Sequence, residues 1–114
     1  MRDVDITQEC LDFIESNNPK LFKKFGYLLQ VITTTRVIHS SFIKKLVDTP
    51  FYELRIKIGD QYRIIVFSLD HDNFNECTKA VLLYGFHKKS TKDYKDAIKK
   101  SQQILEEYLI NKKD

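Results

Sequence analysis

The chain has 114 residues, 42% apolar and 31% charged, which suits a single soluble domain with one modest core. No apolar run approaches the ~20 residues that cross a bilayer, and the polar, acidic start MRDVDITQEC lacks the form of a secretory signal. Membrane and secreted classes are therefore set aside, and a cytoplasmic location is expected. Net charge is only +3, but residues 86–100 hold six lysines against two aspartates. Such a local excess marks a phosphate-bearing or acidic partner or, more plainly, a solvated lysine-rich helix end. Cys10 and Cys77 lie far apart with no CxxC or Cys/His zinc spacing, so two reduced thiols, no metal and no cofactor are expected.

In chain order, DVDI at residues 3–6 offers a short edge strand. Thr7 is a good N-cap for a first helix over 7–17, with Cys10, Leu11 and Ile14 at helical spacing. Asn18 caps a second helix with Pro19 at its first position, where the missing N–H costs nothing. Leu21, Phe22, Phe25, Leu28, Leu29 and Ile32 give it an apolar stripe, and the β-branched TTTRVI frays it near residue 34. FYELRIKI then alternates, with Tyr52, Leu54, Ile56 and Ile58 on one face and Glu53, Arg55 and Lys57 on the other. Gly59-Asp60 reads as a two-residue hairpin turn. QYRIIVFSL returns as the partner strand, and TKAVLLYGF is a third. Ser90-x-x-Asp93 has the form of a capping box for a last helix over 91–110, docked by Ile98, Ile104, Leu105 and Leu109. The order predicts an α+β domain spanning 1–114: a helical hairpin on one face of a small antiparallel sheet, with a C-terminal helix as further cover.

The meander places cations near one another. Arg55 and Lys57 share the polar face of its first strand, Arg63 follows the hairpin turn, and His87, Lys88 and Lys89 end its third strand. A cation cluster on a sheet either binds a polyanion or stabilises charge developing on phosphate. RNA carries its own nucleophile, the 2′-hydroxyl. Cutting it takes a base, cations around the phosphate and an acid at the leaving 5′-oxygen. His87 is the natural proton shuttle, and Tyr94 can stack on a base. Taken singly, each residue has a plainer role. Arg55 is a solvated strand residue, Arg63 snorkels over Ile65 and Phe67, His87 is a polar strand end, and Tyr94 opens the apolar stripe of the last helix.

The hairpin FYELRIKI-GDQYRIIVF followed by KAVLLYGFHKKSTKDYKDAIKKSQQIL resembles the RelE/HigB superfamily of bacterial toxins, above all its phage-derived branch. There a YELR strand, a YR strand and an aromatic-KK-Thr segment leading into a helix recur in this order. The resemblance covers residues 51–105; residues 19–47 match in helical layout and in FIKKLVDTPFYELR. It implies a RelE-like fold, a toxin neutralised by a cognate antitoxin of helix-turn-helix type, and ribosome-dependent, metal-free cleavage of mRNA by 2′-hydroxyl attack. Carried over, the catalytic set falls on Arg55, Lys57, Arg63 (as phosphate clamp), His87, Lys88 and Tyr94, with Lys89 and Lys92 as RNA-binding residues. Some ribonuclease members carry arginine where Lys88 stands, and lysine lacks the planar fork. Two other readings stay open: a ParE-like inhibitor of DNA gyrase, and a degenerate prophage protein that only binds an antitoxin.

Overall fold

The computed structural model describes residues 1–112. Along them run β1 (Asp3–Ile6), α1 (Gln8–Ser16), α2 (Pro19–Thr34), β2 (Ile43–Lys45), β3 (Tyr52–Ile58), β4 (Asp60–Ser68), a 3-10 turn (Phe74–Glu76), β5 (Lys79–Lys88) and α3 (Lys92–Lys112). The helix boundaries follow local chemistry. Thr7 accepts from the Cys10 N–H at 3.2 Å and Asn18 from the Lys20 N–H at 2.9 Å, each satisfying a donor that the helix leaves open. At the far end of α2, the Thr33 and Thr34 hydroxyls donate to the Gln30 carbonyl, in competition with the helical ladder. The buried Arg2 then gathers the carbonyls of Ile32, Thr35, Arg36, Asn75 and Cys77, clasping the end of α2 to the 3-10 turn. Asp93 accepts from the Lys89 and Ser90 N–H groups at 2.7 and 2.9 Å, the reciprocal half of a capping box.

The strands form one sheet in the order β1-β5-β4-β3-β2. The expected antiparallel meander is its centre, with two additions. β2 lies outside β3 with Ile43 opposite Leu54. β1 runs parallel to β5, Asp3 opposite Lys79, so the sheet is mixed rather than wholly antiparallel. The helical hairpin and the meander together supply the long crossover that a parallel pair needs.

One face is covered by α1 and α2, which bury Cys10, Ile14, Leu21, Phe25, Leu28 and Ile32 against Leu54, Ile56, Ile64, Val66 and Leu82. Phe13 presses onto Gly85, where a Cβ would collide with its ring. The other face carries α3, with Ala97, Ile98, Ile104 and Leu105 against Ile65, Val81 and Leu83. Leu109, expected in that docking stripe, is 39% exposed. The helix is seated instead on the small residues Ala97 and Ser101, both buried. The Tyr108 hydroxyl donates to Asp5, and Lys112 pairs with the same carboxylate at 3.2 Å. Fixing Tyr108 toward β1 turns its neighbour about 100° away.

Two irregularities decide which side chains share a face. At the hairpin, Ile58 lies opposite Asp60 with Gly59 alone between them, not the expected two-residue turn. Gly59 has φ +69°, a left-handed conformation that side chains disfavour. A two-residue turn would have paired Ile58 with Gln61 and set Arg63 opposite Ile56 on the apolar face; a one-residue slip exchanges faces. On β5, Ile65 faces Tyr84 and Val66 faces Leu82, so Leu83 is an extra, bulged residue. Val81 and Leu83 point toward α3. Past the bulge the parity changes, and Tyr84, Phe86 and Lys88 take that face.

Candidate functional site

The registers build three cross-strand rows on the α3 face: Glu53–Ile65–Tyr84, then Arg55–Arg63–Phe86, then Lys57–Gln61–Lys88. The first turn of α3 lays Tyr94 over the middle row, edge-on to Phe86 with ring centroids 5.3 Å apart. Four predicted site residues therefore converge around Arg63: Arg55, Lys57, Lys88 and Tyr94.

Arg63 is only 6% exposed. Its Nε donates to the Tyr94 hydroxyl at 3.1 Å, Nη1 to the Tyr62 carbonyl at 3.0 Å and Nη2 to Gln61 Oε1 at 2.7 Å. Three of its five N–H donors are thus engaged within the protein, and two remain. Beneath it lies Glu53, 2% exposed. One carboxylate oxygen accepts from Arg55 Nε at 2.7 Å. The other, without a hydrogen-bond partner, stands 3.7 Å from Arg63 Nε. The single acid is shared by two guanidinium groups and leaves net positive charge on the face. Burial raises the Tyr94 hydroxyl above its ordinary pKa; the Glu53 carboxylate adds to the rise and Arg63 opposes it.

Lys88 reaches over the Tyr94 ring at 5.8 Å, and Lys57 is exposed. Lys89 and Lys92 are exposed just beyond, where the strand turns into α3. A hollow of ≈ 280 Å³ opens beside the rows, lined by Arg55, Lys57, Gln61, Arg63, Ser41, Phe42 and Lys24.

His87 is the exception. It lies opposite Tyr62, whose ring belongs to the core under α1 and α2. The two rings stack at 5.0 Å, and His87 Nε2 sits 3.4 Å from Asp60 Oδ2. The bulge at Leu83 sends it to the face away from Arg63. Glu53 and Gln61, which fix the arginines, carry no sequence signal for that role beyond Glu53 standing among cations. Lys24 and Phe42 come from distant segments and had none. Among the described residues, no group of three or more His, Cys, Asp or Glu side chains is placed to hold a metal, and no helix is long and apolar enough to cross a membrane.

A five-stranded sheet between a helical hairpin and a C-terminal helix is a RelE-like architecture. The structure matches that of E. coli toxin RelE, an arginine-to-alanine double mutant in the free state, with a TM-score of 0.58 and 16% identity, over 86% of this chain and 95% of that one; at this identity the likeness is one of fold. The sequence matches the family described as phage derived protein Gp49-like (DUF891) over residues 12–106, and the chain belongs to that family. No curated protein matches it.

Proposed function

We propose that this chain is the toxin of a toxin–antitoxin pair and that its Arg55–Arg63 face cuts mRNA on the ribosome. The observation supporting this reading is the register: Arg55 opposite Arg63, with Lys57 and Lys88 flanking Gln61 in the next row, beside an open hollow. In the proposed reaction the ribose 2′-oxygen attacks the adjacent phosphorus and the bond to the 5′-oxygen breaks. The products end in a 2′,3′-cyclic phosphate and a 5′-hydroxyl. Arg55 and the two uncommitted N–H groups of Arg63 stabilise the charge gathering on the phosphate oxygens. With His87 on the opposite face, proton transfer falls to Lys57 and Lys88, one as a neutral amine that takes the 2′-proton and the other as an ammonium that protonates the leaving 5′-oxygen. Tyr94 holds Arg63 in place.

A second reading, a non-catalytic toxin acting on DNA gyrase or a remnant that only binds an antitoxin, draws on the burial of Arg63, since a guanidinium with three donors engaged also serves as a structural anchor. Induced expression separates these readings. The proposal expects growth arrest with halted translation and cut messages, relieved by a coexpressed helix-turn-helix antitoxin. Arrested DNA synthesis with intact messages points to gyrase. Unaffected growth with intact translation points to the remnant.

A further inference from the structure

The hollow beside Arg63 does not stop at the sheet. β2 pairs with β3 only as far as Leu54, and the Arg55 N–H closes the contact on the Phe42 carbonyl. From there on the edge of β3 is open. A second, larger hollow of ≈ 510 Å³ continues around that edge onto α2, lined by Lys20, Lys23, Lys24, Tyr27, Lys57 and Ile58. Lys24 and Lys57 line both hollows, so the two adjoin.

The α2 part has a regular design. Lys20, Lys23, Lys24 and Tyr27 stand at i, i+3, i+4 and i+7, one face of the helix, beside the stripe that Leu21, Phe25 and Leu28 bury. All four are exposed, Tyr27 by 59%. No acidic side chain lines either hollow, and none of the described ion pairs involves these lysines. A ring exposed among unpaired lysines offers a stacking surface beside cations. It matches a strand that carries both phosphates and bases.

We infer that the α2 face is a track for single-stranded RNA, continuing from the Arg55–Arg63 face around the open edge of β3, with Lys20, Lys23 and Lys24 on phosphates and Tyr27 under a base. This extends the RNA-cleaving reading by giving the path of the strand outside the reaction centre. An acidic protein segment would satisfy the lysines but give Tyr27 no stacking partner, which favours RNA.

The test is fluorescence anisotropy with a 12-nucleotide 2′-O-methyl RNA, which binds but lacks the nucleophile for cleavage. The wild type should bind with an affinity that falls with salt. Lys20→Ala/Lys23→Ala/Lys24→Ala should make the slope of log affinity against log salt shallower by about 2, at ~0.7 per lost single-strand contact. Tyr27→Ala should weaken binding about 5- to 150-fold with the slope unchanged, the signature of lost stacking. A triple variant with wild-type affinity and slope overturns the track, as does a wild type that binds no oligonucleotide. A triple variant that loses a purified antitoxin but keeps the oligonucleotide also overturns it, in favour of an acidic protein. Message cleavage is scored separately. A wild type that cuts nothing yet binds through α2 ends the nuclease reading and leaves the track standing.

Discussion

Glu53 is the residue on which the arrangement of the cationic face depends. Its carboxylate is buried between Arg55 and Arg63 with one oxygen lacking a hydrogen-bond partner, a state tolerated only where neighbouring charge compensates. Glu53→Gln removes the counter-charge and leaves the Arg63 guanidinium buried beside a neutral amide. Stability should fall by about 1–3 kcal/mol, measured by urea denaturation. Binding of the 12-nucleotide RNA should tighten, because the face gains one net positive charge and Arg55 is released toward solvent. A stable variant with unchanged binding would show that the acid does not organise the arginines. Tyr94 belongs to the same unit: its hydroxyl accepts from Arg63 and its ring lies between Phe86 and Lys88. It packs, as its place at the head of the α3 stripe implied, and it also positions Arg63, a role that the sequence did not offer.

At the scale of elements, the face exists because two irregularities fall where they do. The left-handed Gly59 sets the hairpin register that puts Arg55 opposite Arg63. The space around it is open, so a substitution meets conformational cost rather than collision. Gly59→Val should cost about 1–2 kcal/mol, while Gly59→Asn should retain most of the stability, since asparagine visits this region with less penalty; chemical denaturation of both variants checks this. Equal loss in both would mean that the turn does not need the left-handed conformation. The limits of the sequence reading lie at the same two places. The alternation in YELRIKI shows which strand residues are polar, and the caps Thr7, Asn18 and Asp93 are visible as residue types. The turn register is a matter of one residue and leaves no periodic trace. In KAVLLYGF, apolar residues fill both faces, so the parity change at Leu83 is hidden and His87 reads as a neighbour of Lys88 when it stacks on Tyr62. The three-residue β2 is too short to show a period, and the parallel pairing of β1 joins segments far apart in the chain.

For the whole molecule, the α3 side of the sheet and the exposed face of α2 are joined around the open edge of β3, giving one basic surface in a chain whose net charge is only +3. Such a concentration of charge is what the proposed binding of a polyanion by a nearly neutral protein requires. Under the proposed function, an antitoxin neutralises it by covering or distorting this surface. The most direct measurement is primer extension on a message translated with the purified protein, comparing the wild type with Arg63→Lys and melting both. Arg63→Ala is a poor probe, because it strands the buried Glu53 charge and confounds folding with catalysis. Arg63→Lys keeps a cation beside Glu53 and removes the planar fork. The account predicts cuts by the wild type and a ~10²–10³-fold slower rate for a folded Arg63→Lys. Cuts at the same positions and the same rate by a folded Arg63→Lys would contradict it.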